Sequence, residues 1–423
     1  MRRRGLARRV TAAAAVATLG PEDRICLPLC CGLPLTLVEA LCADASRLRG
    51  LEIVSGLQVV YPFLDPKLAG AFSFRTWQCA PAIRALLKTG QVKYIPMRQG
   101  DAVRVFGPGG PWPVRAALIQ VAPPDAEGRC SLGVSIGHSL PLALGADIVI
   151  AEVNQRMPRV LGPSYLHLEE IDYLVESDRD LVVFPAGEAP GPRESAIGEL
   201  AAALIPDGAT VQIGLGAIPE AILQRLAAKR GLRLFAMGMD RMVDLHRAGA
   251  LDTAHGPAIT VTEILGGPAV FDFVHANPLV EGRPLPEVIN PLAAGARPHF
   301  CSVLSALEID LCGQVNAETV RGEQFSAVGG SFDFLQGALL SEGGVSIIAL
   351  PSTTPGDKIS RIAATLPPGS AVTTPRHCVQ YVITEYGVAD LWGKSLGERA
   401  RALAGIAHPG FRAELQARAA ELG

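Results

Sequence analysis

Asp207-Gly-Ala-Thr-Val-Gln-Ile-Gly-Leu-Gly-Ala-Ile-Pro219 holds a turn, a strand and the start of a helix in one short run. Asp207-Gly208 has turn chemistry, and residues 210–213 form an apolar run of strand length. Gly214 and Gly216 then allow a tight strand-to-helix turn, and Pro219 suits the first turn of the helix expected over 220–230. Glycines there let backbone amides approach a ligand, and the helix N-terminus favours a phosphate or an oxyanion. Close packing of strand on helix explains the same two glycines without any ligand. The run is not a nucleotide fingerprint, because Pro219 stands where the third glycine of GxGxxG belongs and no P-loop lysine follows.

Outward from this run the chain alternates strands and helices. Before it, 194–204 reads as an amphipathic helix, and 185–193 is a polar, proline-rich linker. In the first half, strand-like runs at 52–60, 92–96, 116–121 and 148–153 alternate with helical stretches at 34–48, 81–87 and 140–144, the pattern of parallel βαβ layers. After it come short strands at 345–350 and 381–384 and a helical tail over 396–422. The expectation is an α/β protein of two open α/β domains, residues 1–190 and 191–423, with no convincing residue-level repeat between them.

Composition narrows the function classes. A chain of 423 residues, 49% hydrophobic and 19% charged, buries a large core, and its 45 glycines and 33 prolines are scattered rather than periodic. A net charge of -3 gives no nucleic-acid footprint, so an anionic ligand must be met by a local site. The nine cysteines are odd in number and contain no CxxC pair, which reads as reduced, buried thiols in a cytoplasmic protein. Cys30 and Cys31 are adjacent, yet no histidine or cysteine lies at ligand spacing, and no metal is expected. The basic, alanine-rich first 24 residues lack a leucine-rich export core and are expected to be a soluble helix running into a strand near 24–29. No apolar run reaches about 18 residues, so no membrane span is expected.

Two further stretches could carry chemistry. Gly322-Glu-Gln-Phe-Ser-Ala-Val-Gly-Gly-Ser-Phe-Asp-Phe334 pairs Gly329 with Gly330, a loop able to turn two amides toward a thioester carbonyl, or simply a tight turn. Ser305-Ala-Leu-Glu-Ile-Asp-Leu-Cys-Gly-Gln-Val-Asn316 sets Glu308 and Asp310 on one face of a strand, where a solvated face explains them as well as catalysis does. His377 is a candidate base. His408, in Ala-His-Pro-Gly, more often orders a turn, and Arg156 and Arg159 could meet a carboxylate or be ordinary surface.

Taken in order, these blocks resemble the acetyl-CoA hydrolase/transferase family, which includes acetate, butyrate and 4-hydroxybutyrate CoA-transferases. The resemblance covers nearly the whole chain. It rests on Val153-Asn-Gln-Arg-Met-Pro158, the run from Asp207 to Pro219, Val243-Asp-Leu245, Phe271-Asp-Phe, Asn277-Pro278, and the blocks around Glu308 and Gly329. Most specific are Leu350-Pro-Ser-Thr-Thr, Ser360-Arg-Ile, Val372-Thr-Thr, Ile383-Thr-Glu-Tyr-Gly387 and Ile406-Ala-His-Pro-Gly-Phe411. It implies a CoA-transferase fold with the active-site cleft between two domains, a homodimer or larger assembly, and coenzyme A or acyl-CoA as substrate. It also implies that Gly214, Leu215, Gly216, Ala217, Ile218, Val328 and Gly329 hold CoA. Gly329 and Gly330 would hold the thioester oxygen, and Glu385 would lie near the acyl pocket.

The resemblance also exposes a departure. Such enzymes attack the thioester with a glutamate in a Gly-(Ile/Val)-His-(Thr/Ser)-Glu-Met stretch, giving an acyl-glutamyl and then a glutamyl-CoA intermediate. Here the stretch is Arg233-Leu-Phe-Ala-Met-Gly-Met-Asp-Arg-Met-Val-Asp-Leu245, which puts Ala236 at the nucleophile's position, and no glutamate lies between Glu220 and Glu263. The family's oxyanion asparagine falls on Leu304. Three readings follow. The first is acyl transfer or thioester hydrolysis without a covalent glutamate, with Glu385, Glu308 or His377 as base. The second is CoA transfer through another carboxylate such as Asp240, and the third is a non-catalytic CoA-binding subunit.

Overall fold

Ala116–Val121 and Ile148–Asn154 are almost unbroken apolar runs, and a strand buried on both faces needs that composition. In the computed structural model, which describes residues 7–423, they pair in parallel near the middle of an eight-stranded sheet. From one edge the order is Arg8–Arg9, Tyr173–Ser177, Ile148–Asn154, Ala116–Val121, Arg24–Cys26, Leu51–Val54, Phe72–Thr76 and Val92–Tyr94, all parallel. Growth of the sheet reverses between Arg24–Cys26 and Ala116–Val121. In open parallel sheets such a switch point leaves a crevice beyond the carboxyl ends of the strands. Leu37, Val38 and Leu41 of the helix Leu35–Ala43 are buried in the apolar core of this sheet with Ile25, Ile53, Phe63 and Phe74.

By internal contacts the chain forms two compact units. The first takes the chain up to Pro185 with Ala236–Asp240 and Ile259–Val288; the second takes Ala186–Phe235, Arg241–Ala258 and Ile289–Gly423. The first unit thus also contains the parallel strand pair Ile259–Leu265 and Val280–Gly282.

In the second unit Thr210–Ile213 pairs in parallel with the first residues of Arg233–Met239 on one side and with Phe300–Ser305 on the other. Val345–Ala349 and Tyr381–Thr384 follow in parallel, and Gly387–Asp390 closes the edge antiparallel. The switch point here lies between Thr210–Ile213 and Phe300–Ser305. Phe300 packs edge-on against Phe235 at 5.6 Å between ring centres, with Phe334 alongside at 6.5 Å, and this aromatic group anchors the strands to the helix Ser331–Leu340.

The expected elements are present with shifted ends. The strand expected over 52–60 stops at Val54, because the Ser55 hydroxyl donates to the carbonyls of Leu27 and Pro28. At Gly56 an added Cβ would lie 2.7 Å from Leu29. The helix expected from 194 begins at Pro192, where Glu194 accepts the Gly191 N–H at 3.0 Å. At the N-terminus the helix is only Ala12–Val16, and Arg8–Arg9 instead adds an edge strand; residues 1–6 lie outside the described residues. All nine cysteines are free thiols, seven of them buried. Among the described residues no helix is long and apolar enough to cross a membrane.

Candidate functional site

The second unit gathers most of the candidate residues at the carboxyl edge of its parallel strands. Ile213 pairs with Val303, Leu304 with Ile348 and Ile348 with Val382, so Gly214 and Leu304 emerge level with Ile348 and Val382, and Leu350 and Thr384 lie two residues further out along the same edge. Gly214 and Gly216 follow the strand at the switch point and lead into the helix Ala217–Leu226. A Cβ built at either glycine meets nothing within 4 Å, which corrects the reading that close strand-to-helix packing explains them. Gly216 is required by its backbone, φ 120° and ψ 179°, a region essentially closed to other residues. Gly214 has no such requirement, so its missing side chain leaves open space beside backbone amides.

A second helix start serves the same edge. Phe300–Ser305 connects through Ser331–Leu340 to the parallel strand Val345–Ala349, and that crossover carries the helix N-terminus to the carboxyl side. The turn before it has Gly329 at φ 57°, and both the amide and the hydroxyl of Ser331 donate to the Val328 carbonyl, at 3.2 and 2.6 Å. Gly330 is a matter of packing: a Cβ there would lie 2.8 Å from the Phe334 ring. Two helix N-termini at one edge make a favourable field for a phosphate or an oxyanion.

Glu385 follows Tyr381–Thr384 at this edge. Its carboxylate accepts the Ser352 amide at 2.9 Å and the Ser352 hydroxyl at 2.8 Å, with Arg193 Nε at 3.8 Å. Arg193 also donates to Thr353 Oγ1 and Asp357, and Thr353 in turn donates to Asp357. Glu385 is therefore tied to the loop that follows Val345–Ala349, which positions that loop. Leu304 is buried among apolar neighbours and offers no donor.

Other candidates have structural duties. Asp310 is buried rather than solvated: it accepts the amides of Cys312 and Gln314 at 3.0 and 2.9 Å and so builds a turn. Glu308 accepts from Asn316 and Ser370. His408 caps the helix Pro409–Ala420 through the Gly410 amide, and His377 is exposed. Arg156 pairs with Asp178 and Asp180 on the surface, and Arg159 donates to the Pro123 and Arg129 carbonyls.

In the first unit, Ala236 is buried at 2% exposure and holds φ 88°. An alanine in that conformation costs about 1–3 kcal/mol, which the surrounding structure must offset. The Thr262 hydroxyl donates to its carbonyl at 3.1 Å. Asp240, exposed, accepts the Gly267 N–H on its Oδ1 at 3.2 Å, ahead of the helix Pro268–Val274. The residue that sequence reasoning missed is Glu263. It is 3% exposed, and among the described residues neither carboxyl oxygen has a hydrogen-bond partner of ordinary geometry, the Ser135 side chain being the one polar group close enough to favour its anion. Burial pushes its carboxyl well above the ordinary range, and the neighbouring Ser135 only eases that shift. A single charged residue inside the apolar run Ile259–Leu265 was the signal that could have found it.

Comparison with known proteins agrees with the architecture. Residues 7–185 match the model of the acetyl-CoA hydrolase/transferase N-terminal domain, and residues 266–419 that of the C-terminal domain. The chain is 41% identical to a 4-hydroxybutyrate coenzyme A transferase of Clostridium kluyveri over 96% of both chains. The chain belongs to the acetyl-CoA hydrolase/transferase family. It is also 32% identical to a butyryl-CoA:acetate CoA-transferase of Anaerostipes caccae, over 96% of this chain and 94% of that one. The crystal structure of RipA from Yersinia pestis superposes with a TM-score of 0.90 at 30% identity, covering 98% of this chain and 97% of that one. Acetyl-CoA hydrolase/transferase family members are CoA-transferases and acetyl-CoA hydrolases, and this chain is an enzyme of that family.

Proposed function

We propose that this enzyme transfers the acyl group of an acyl-CoA to a bound acceptor, or to water, without forming a covalent glutamyl intermediate. The observation that carries the reading is Ala236. It keeps the left-handed backbone of a strained position where the family resemblance puts the nucleophile, and it carries only a methyl. Asp240, the nearest substitute in sequence, has a carboxylate oxygen already accepting the Gly267 amide. Glu385 holds Ser352 through both of its oxygens. The parts that bind and polarise remain: the open turn at Gly214 and Gly216 and the turn at Val328, Gly329 and Gly330 suit the CoA phosphates and the thioester oxygen. Proximity and donors aimed at the developing oxyanion are large contributions for an already activated thioester.

A second reading is CoA transfer between carboxylates, favoured by the names of the relatives cited above. Incubation with a panel of acyl-CoAs separates the two when free thiol and acyl product are followed by mass, with and without acetate, amines and alcohols. Thiol release with water, an amine or an alcohol as acceptor is expected. CoA exchange onto acetate with a protein-CoA adduct overturns the first reading in favour of the second.

A further inference from the structure

The first sheet has its own switch point, and the segment leaving it is Cys30-Cys31, which follows Arg24–Cys26 as a short 3-10 turn with Cys30 at φ 42°. Against it lies the strand Ile259–Leu265. Ser135 pairs with Glu263 in an isolated antiparallel bridge, and the amides of Ile136 and Gly137 donate to the Thr262 carbonyl at 2.9 and 3.0 Å. Glu263 projects over Gly137, where an added Cβ would lie 2.6 Å from its Oε1. Glycine at 137 is therefore what leaves room for the carboxyl.

We infer that Glu263 is a catalytic group of this chain: a neutral carboxylic acid whose O–H meets an oxygen of the bound acyl substrate. The inference rests on the acyl-transfer reading above and names a donor for it. A buried carboxylate with no partner is far more costly than the neutral acid, so the acid is the resting form. The titratable groups facing it are the thiols of Cys30 and Cys31, with Asp240 acting on Cys31 in turn; all are acids, and none favours the anion. Burial holds both thiols up, Cys31 at about 11 and Cys30 well above its usual value.

Among the described residues only the Ser135 side chain stands near the acid, and no acceptor meets its O–H in ordinary hydrogen-bond geometry; a catalytic role is one of the few reasons a folded protein leaves such a group unmet. A thioester brings an acceptor oxygen and no donor. Thr262, next to Glu263 on the same strand, donates its hydroxyl to the Ala236 carbonyl, so the strand that carries Glu263 is fastened to the segment that carries Ala236. A neutral carboxylic acid can hydrogen-bond an oxyanion as it forms. In the step itself, the acceptor's heteroatom bonds to the acyl carbon, the C–S bond breaks, and the acceptor's proton ends on the departing thiol. Glu263 keeps its own proton throughout.

The test compares wild type with Glu263→Leu and Glu263→Gln, using purified full-length protein. Turnover is measured with saturated acyl-CoAs and with acyl-CoAs bearing a second oxygen, and binding of each by titration calorimetry. Glu263→Leu is expected to lose about 100-fold or more in kcat/KM, while Glu263→Gln, which keeps an N–H donor, stays within about tenfold of wild type. Loss with every acyl-CoA assigns the contact to the thioester carbonyl; loss confined to oxygenated acyl groups assigns it to their distal oxygen. Wild-type activity should fall as pH rises through ionisation of the acid, and the Gln variant should lack that limb. A Leu variant as active as wild type, a Gln variant as inactive as Leu, or a Gln variant that keeps the alkaline limb overturns the inference. If Glu263→Leu does not fold, the Gln variant and the pH profile decide alone. Wild type that neither binds nor consumes any acyl-CoA shows that the underlying reading has failed, before any variant is made.

Discussion

The hydroxyl of Thr262 donates to the carbonyl of Ala236 at 3.1 Å, so a residue in a strained conformation is held by a side chain of the strand Ile259–Leu265. Replacing Ala236 by glycine should relieve that strain and raise stability by about 1 kcal/mol, read from the urea midpoint. Thr262→Val should lower it by about 1 kcal/mol, because the carbonyl then loses its buried donor.

Ala236→Glu tests directly the proposal that position 236 is where the family's nucleophile would stand. If the backbone at 236 still presents the geometry of a nucleophile, this variant should react with acyl-CoA, release the acyl group as its carboxylate and become a glutamyl-CoA thioester whose mass rises by that of CoA less one water, while wild type shows no such adduct. An adduct absent from the variant, with folding intact, would mean that the vacancy is not at Ala236.

Gly214 and Gly216 should separate ligand approach from backbone need. Gly214→Ala adds a methyl into open space, so stability should change by less than about 0.5 kcal/mol, while affinity for CoA drops measurably by calorimetry. Gly216→Ala should cost about 1–3 kcal/mol in denaturation, because its φ of 120° excludes a side chain. Unchanged CoA affinity in Gly214→Ala would show that the open space is not used by the ligand.

The parallel layers were legible because Ala116–Val121 and Ile148–Asn154 are too apolar to face water, and the switch at Gly214 because a strand, two glycines and a helix start stand in a row. Strand ends were less so: only contact with Leu27, Pro28 and Leu29 explains why the strand Leu51–Val54 stops before Ser55. Asp310 looked solvated by alternation, yet its carboxylate turns back on its own loop, a local hydrogen-bond choice that period-two reasoning does not see. Glu263 was passed over because its meaning lies in what surrounds it, the glycine at 137 and the thiols at 30 and 31, far apart in sequence.

Glu385 is expected to position rather than react. Glu385→Gln should turn an amide donor toward the Ser352 amide or hydroxyl and cost about 1–3 kcal/mol of stability. Ser352→Ala removes one donor and should cost about 1 kcal/mol. If the role is to hold the loop, both variants should raise KM for acyl-CoA by loosening the residues around Thr353 and Asp357, with kcat changing less. A Glu385→Gln enzyme with unaltered KM and kcat lowered by orders of magnitude would instead mark Glu385 as a reacting group.

Acid stability should be governed in part by Glu52 in the first unit. Its carboxylate accepts from Arg24 Nε at 2.5 Å, Arg75 Nη2 at 2.9 Å and Lys93 Nζ at 2.9 Å, and the guanidinium of Arg75 lies 4.0 Å over the Trp112 ring. Burial alone would raise this carboxyl, but the hydrogen bonds from Arg75, Lys93 and Arg24 together outweigh it and pull it down to about 2 from an ordinary 4.5. A folded-state value below the unfolded one means that the stabilisation is complete above the unfolded pKa and is lost as pH falls through about 2. Glu52→Gln should therefore cost about 3 kcal/mol at pH 7, and the gap from wild type should close between about pH 5 and pH 2, followed by urea denaturation across that window. A gap that does not vary with pH would show that Glu52 acts through packing rather than through its charge.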